Sequence, residues 1–249
     1  MPEIKNSSAW INADWNVPVW IKAGISTRHG GSSLAPYESL NLALHVGDDA
    51  ATVNLNRDYL KNLLDLPADP IWLNQIHGDR IVNADNLENL DADGIYTNQE
   101  GVICAVLTAD CVPLLMCDRD GSQIAAVHVG WRGICTDIIE KAVCLLDHNP
   151  DKIITWIGPH IGENSYEVDD DVYAVCVNTN KNLRNAFKKN QRGRWNASLK
   201  KMVRNQLQSN GINHIHSTNY CTFRNDSDFF SYRRNEVTGR MASMIWIER

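Results

Sequence analysis

The chain has 249 residues and a net charge of −6, with 43% hydrophobic and 22% charged residues. That is an ordinary globular composition, enough for one large domain or two small ones. The acidic balance, without basic runs or basic–aromatic interleaving, excludes a nucleic-acid partner, which needs a basic face. No apolar stretch approaches the ~20 residues of a membrane span. The opening MPEIKNSSAWINADW lacks the basic and then apolar regions of an export signal.

Residues 18–28 read as a strand running into a Gly30-Gly31 turn. Residues 49–64 read as a helix with Val53, Leu60, Leu63 and Leu64 on its buried side. Residues 71–76 form a strand-like run that ends at His77-Gly78-Asp79, and residues 80–83 continue it after the turn. Residues 101–108 are a strongly apolar strand leading directly into Ala109-Asp110-Cys111. The apolar runs 112–117 and 123–127 flank Asp118-Arg119-Asp120-Gly121, which is turn chemistry, and so predict a β-hairpin. A helix follows over residues 134–146, with Ile134, Ile138, Ile139, Ala142, Val143, Leu145 and Leu146 at helical period. Residues 153–157 predict a strand, 168–177 and 196–208 helices, and 241–247 a closing strand. Hairpins with interspersed helices, lacking a steady βαβ rhythm, favour an α+β fold: a single domain over residues 1–249, mixed or antiparallel sheets flanked by helices. Seven cysteines, an odd number without framework spacing, read as thiols of a reducing compartment, so a cytoplasmic location is expected. Cys104, Cys117, Cys144 and Cys176 lie within apolar runs and are expected in the core.

The hairpin is the most informative feature. If Asp118 pairs with Gly121, or Cys117 with Ser122, then Cys111 lies directly opposite His128. If Asp120-Gly121 is the turn, the two become a diagonal pair. Either register puts both side chains on one face, with Cβ atoms roughly 4.5–8 Å apart. A thiolate and an imidazole so placed can share a metal ion, or act as nucleophile and base. Equally, a cysteine on a strand is often a small hydrophobe and a histidine a hydrogen-bonded structural residue. His77, at a strand end beside Gly78, would complete a three-ligand set with an open fourth position. Asp110 would point to the opposite face of a regular strand and reaches the site only if the backbone turns there; it is a candidate for acid–base work.

Gly130-Trp131-Arg132-Gly133 opens a helix directly after His128. It reads either as an anion site, with Arg132 as a bidentate phosphate donor, or as a tight turn with a solvated arginine. Arg28-His29-Gly30-Gly31 invites the same two readings. Arg233-Arg234 is a solvated or paired charge run from which one guanidinium could face a cleft. The phosphate loop, the dinucleotide fingerprint, H-E-x-x-H, G-x-S-x-G and the zinc nucleobase deaminase pattern are all absent. Asp91-Ala92-Asp93-Gly94 departs from a calcium loop and reads as a turn.

The strings NQIHGDRIV, ADGIYTN, CAVLTADCVPLL, AAVHVGWRG, IGPHIG, FFSYRR and TGRMASMIWI resemble the bacterial laccase-domain family. Its members are also called polyphenol oxidases, or purine nucleoside phosphorylases of the multicopper-oxidase-like type. The resemblance runs from about residue 17 to the C-terminus. It implies His77, Cys111 and His128 as metal ligands, with zinc as the metal and copper as the alternative. It also implies phosphorolysis of adenosine, inosine, guanosine and methylthioadenosine, together with deamination of adenosine. In that reading phosphate would lie near Arg28 and Arg132, and Asn41 would be a ribose or base contact, or else only a turn residue. The expected partners are therefore a purine nucleoside and phosphate, and the expected state is a monomer or weak homo-oligomer. A second reading is a cysteine amidohydrolase acting on a peptidoglycan precursor, with Cys111 as nucleophile and His128 or His77 as base. A third, a zinc-stabilised binding protein, would need a closing ligand such as His29, His45 or His160. A copper polyphenol oxidase fits poorly, because four coppers need about ten histidines, largely as H-x-H pairs. This chain has eight histidines and one such pair, His214-Ile215-His216.

Overall fold

The computed structural model describes residues 8–146 and 149–249. The N-terminal reading above therefore rests partly on residues 1–7, outside the described residues. Two large sheets carry the molecule. The first has five strands: β1 (Trp10–Asn12), β2 (Ile21–Ser26), β3 (Ile71–Trp72), β6 (Cys104–Thr108) and β14 (Met241–Ile247), in the order β1-β2-β14-β6-β3. The second has six: β4 (Ile81–Asn83), β5 (Gly94–Thr97), β7 (Val112–Asp118), β8 (Ile124–Val129), β9 (Ile153–Ile157) and β13 (His214–Ser217), in the order β13-β9-β7-β8-β5-β4. Most pairings are antiparallel, with β3–β6, β4–β5 and β13–β9 parallel. A small third sheet joins β10 (Glu167–Val168), β11 (Phe187–Lys189) and β12 (Trp195–Ala197).

The strand period of two sorts side chains into layers. On β7, Leu115 and Cys117 face the first sheet, where they meet Ile25, Val106 and Ile245. Leu114 and Met116 face the opposite way, onto α2 (Trp131–Cys135), α3 (Ile138–Leu145), α4 (Asp170–Thr179) and α5 (Leu199–Ser209). The outer face of the first sheet, with Ala105, Leu107, Met244 and Trp246, is covered by α1 (Ala50–Leu64) and Leu40 and Leu42. The result is four layers, helix–sheet–sheet–helix. Each fully buried aliphatic side chain contributes roughly 1.5–3 kcal/mol, so the three inter-layer cores dominate the stability.

Several expected elements change at their ends. α1 is capped by Asp49, whose side chain accepts from the Thr52 amide at 2.8 Å. Its buried stripe is Val53, Asn56, Leu60 and Leu64, and Leu63 lies outside it, exposed. Asn56 is buried because its amide bonds Ser33, Ser39 and Asn41. The helix expected over 134–146 is two helices. Asp137 takes the left-handed conformation at φ 60°, and the Ile134 carbonyl, only weakly bonded by the Asp137 amide at 3.4 Å, accepts from Gln206 at 2.8 Å. The hydrophobic period survives the break because both halves pack on the same sheet. α4 and α5 start at 170 and 199, later than expected, with Asp169 and Ser198 as their caps. Cys144 is exposed rather than in the core, on the outer side of α3.

The hairpin closes through a four-residue loop, with Asp118 and Gln123 bonded across it. The Asp118 carboxylate accepts from the Ser122 and Gln123 amides, which fixes the turn. Pro113 is therefore opposite His128, and Cys111 is diagonal to His128 on the inter-sheet side.

Candidate metal centre and substrate cleft

The chain crosses between the two sheets at two neighbouring places, and the site is built there. Thr108 ends β6 in one sheet and Val112 begins β7 in the other, with Ala109-Asp110-Cys111 as the crossing. Residues 73–80 make the second crossing, from β3 to β4. Asp110 takes φ 97°, a left-handed turn rather than regular strand, and His77 takes φ 57°. Gln75 ties the crossings together: its side-chain amide donates to the Leu107 carbonyl and accepts from the Leu107 amide, at 2.8 and 2.7 Å.

These turns bring His77, Cys111 and His128 together, their ligand atoms all within 4.8 Å of one another. His77 is exposed, Cys111 half-buried and His128 buried, so the group has a protein side and an open side. The two imidazoles meet edge to face with centroids 4.8 Å apart. Burial alone would push the Cys111 thiol up. The imidazoles of His128 and His77 outweigh it and hold the thiol at about 6. Burial would likewise depress His128, but Cys111 and Asp93 raise it to about 9. Two imidazole nitrogens and a readily ionised thiol are a donor set whose chemistry would suit zinc among other soft or borderline divalent metals.

Asp93 is the residue that sequence reading missed. It is fully buried, and its carboxylate accepts from His128 Nδ1 at 2.8 Å. The same carboxylate accepts from the amides of His77 and Gly78 at 3.0 and 2.7 Å. One side chain thus fixes the tautomer of one ligand, leaving Nε2 free, and the backbone of another. This is the usual supporting arrangement behind a metal-binding histidine. The signal in the sequence was Asp93-Gly94 entering a strand, read only as a turn. Gly130 is a second support: a Cβ there would stand 3.2 Å from Cys111 Sγ and 3.8 Å from His77 Cδ2.

A cleft of about 470 Å³ opens over the group, with His45, Trp131, Arg132, Tyr166, Tyr232, Arg233 and Arg240 among its walls. Three arginines line it in a protein of net negative charge, which concentrates positive side chains there beside the Asp110 carboxylate. Arg132 stacks on Trp131. Arg233 lies over Tyr166 and donates to the Glu167 carbonyl at 2.7 Å. Arg234, in contrast, is spent on the carbonyls of Thr222, Phe223 and Phe229. The His45 imidazole is held below its ordinary value by burial first, then by Arg240, Arg57 and His77.

The other expected site residues fall elsewhere. Asp110 lines the cleft, but its carboxylate is bonded to Thr222, Ser231 and the Arg233 amide. Arg28 does not line the cleft; its guanidinium donates to the carbonyls of Glu38 and Asp226. Asn41 is fully buried and bonds Ala43, Asp48 and the Arg240 amide. Its link to the cleft is therefore through Arg240. Gly130 caps α2, but that helix has five residues, so its dipole adds little to the arginines. None of His29, His45 or His160 belongs to the candidate metal group. His29 pairs with Asp228, and His160 Nδ1 donates to the Gly158 carbonyl.

Residues 22–248 match the family model described as multi-copper polyphenol oxidoreductase laccase. The chain belongs to this family. It is 42% identical over 241 residues to a Haemophilus influenzae protein named purine nucleoside phosphorylase, covering 96% of this chain and 99% of that one. It is 40% identical over 243 residues to Escherichia coli purine nucleoside phosphorylase YfiH, covering 96% and 99%. Among solved structures, Neisseria meningitidis protein NMB0706 superposes with a TM-score of 0.92 at 37% identity, covering 97% of this chain and all of that one. These relatives support an enzyme of the purine nucleoside phosphorylase group. Despite the multi-copper description, His77, Cys111 and His128 are the one candidate metal group among the described residues. The H-x-H pair lies apart on β13, where His214 bonds Arg119.

Among the described residues, no helix is long and apolar enough to cross a membrane.

Proposed function

We propose that the protein is a zinc-dependent purine nucleoside phosphorylase acting on adenosine, inosine, guanosine and methylthioadenosine, and that it also deaminates adenosine. The observation that carries this reading is a three-ligand group, open on one side, at the floor of an arginine-lined cleft in a chain whose relatives are named purine nucleoside phosphorylases. His77, Cys111 and His128 would hold the zinc, which when bound supplies Lewis acidity on the cleft side.

The chain's own residues account for binding and orientation. Arg132, with Arg233 and Arg240, fits a phosphate dianion. Trp131, Tyr166 and Tyr232 offer flat surfaces for a purine. In phosphorolysis a phosphate oxygen forms a bond to ribose C1′ as the C1′–N9 bond breaks, and the purine takes up a proton. His45, kept neutral among cations, is a base or acid within the same cleft. Asp110 serves as a positioning residue, holding the segment that carries Arg233. Incubation with adenosine, with and without phosphate, tests the reading. Adenine and ribose 1-phosphate should form only with phosphate, and inosine should form in both. No turnover under either condition would refute it.

A second reading has one observation of its own, the depressed Cys111 thiol beside a raised His128. That is also the signature of a cysteine nucleophile with its base, as in an amidohydrolase acting on a peptidoglycan precursor. An acyl group trapped on Cys111 would favour it, whereas loss of activity to a chelator favours the zinc enzyme.

A further inference from the structure

Cys135 and Cys176 lie outside the metal centre, with their Sγ atoms 2.9 Å apart. Cys135 ends α2, the helix whose first residues Trp131 and Arg132 form one wall of the cleft. Cys176 lies on α4, which follows closely on Tyr166 of the facing wall. The two residues are 41 apart in the chain and meet only through the tertiary fold. Cys135 is half-buried, within reach of a small oxidant, while Cys176 is fully buried behind it. Cys176 belongs to the helix-side core and Cys135 packs against it, and there the two thiols meet each other.

We propose that Cys135 and Cys176 form a reversible, peroxide-responsive disulfide that links α2 to α4 beside the substrate cleft. In the first step the Cys135 sulfur attacks a peroxide oxygen. The S–O bond forms, the O–O bond breaks, and the departing hydroxide takes a proton to become water. In the second, the Cys176 sulfur attacks the sulfenic sulfur of Cys135. The S–S bond forms, the S–O bond breaks, and water leaves with the Cys176 proton. The two thiols lose two electrons and the peroxide is reduced to two waters. The half-exposed, hydrogen-bonded thiol attacks and the buried one resolves. The Cys176 thiol holds Cys135 below its ordinary value, against its own burial and the Asp137 carboxylate, which agrees with that order.

The test is peptide mapping of the full-length protein, first reduced, then treated with hydrogen peroxide and alkylated. A linked peptide containing Cys135 and Cys176, lost on treatment with a dithiol, is expected. Cross-linking this span should raise the melting temperature by on the order of 5–15 °C, and Cys135→Ser should abolish both changes. In Cys176→Ser, Cys135 should instead accumulate as a sulfenic acid trapped by a 1,3-dione. Cys135 and Cys176 both remaining open to alkylation after peroxide would overturn the proposal. So would equal formation of the sulfenic acid on Cys135 in the presence and absence of Cys176.

Discussion

At the residue scale, Asp93 does the most with one side chain. Its carboxylate holds His128 Nδ1 and two amides of the His77 turn. Asp93→Asn keeps an acceptor but loses the charge, so zinc affinity should fall about 10- to 100-fold with the fold retained. Competition against a chromophoric chelator, with circular dichroism as the control, measures this. Cys111→Ala should remove the metal altogether. Arg132→Ala makes the complementary prediction. Loss of a charge-assisted phosphate contact costs about 1.5–3 kcal/mol, roughly ten- to a hundredfold in kcat/KM. The KM for phosphate should rise, zinc content should hold, and deamination should suffer less than phosphorolysis. Equal loss of both reactions with a lowered Tm would make Arg132 a structural clamp instead. The legibility of these residues follows from distance along the chain. Cys111 and His128 were readable because a hairpin's register follows from its turn. Asp93 was not, since it reaches them from another strand pair. Arg28 and Asn41 look like ligand contacts in one dimension, and only the fold reveals the backbone groups that occupy them.

At the element scale, the apolar periods located nearly every long element, and what they missed was decided by single residues. Asp137, in the left-handed region, splits one expected helix into α2 and α3. The split leaves α2 as a short arm whose first residues, Trp131 and Arg132, form a wall of the cleft over the metal group. Gly130, at its start, must leave room for Cys111. Gly130→Ala would crowd Cys111 Sγ and should weaken zinc retention by several-fold, measured by dialysis against a chelator, without loss of helix signal. The short strands β1, β5, β11 and β13 escaped sequence reading because three or four residues carry no measurable period, and residues of β10 and β12 were absorbed into the helices expected over 168–177 and 196–208. The segment beside β9 carries a pH prediction. Burial lowers His160 to about 4, against the opposing Gly158 hydrogen bond. The folded state therefore refuses a proton that the unfolded state accepts below about 6.5. This contribution is full above that pH and is lost as pH falls toward 4, amounting to about 3 kcal/mol at most. A melting series from pH 7 to pH 4 should show that decline in the wild type. His160→Gln should flatten it, and an unchanged slope would assign the acid limb to other groups.

At the scale of the molecule, two sheets packed face to face leave a seam where the chain crosses between them, and the β3–β4 and β6–β7 crossings carry His77 and Cys111. The rigid layers on each side explain how an exposed His77 and a buried His128 can hold one geometry without a long loop. Class and single-domain organisation were readable from hairpins mixed with helices. The layering was not, because nothing local in the sequence says which sheet a strand joins. In the proposed function this seam meets chemistry: the three-ligand group would serve phosphorolysis in the cleft above it. The most direct test follows ribose 1-phosphate formed from inosine and phosphate by protein stripped of metal and then titrated with zinc. The stripped protein should give no product, and recovery should saturate at one zinc per chain. Full activity without metal, or no product at any zinc level, would contradict the proposed function.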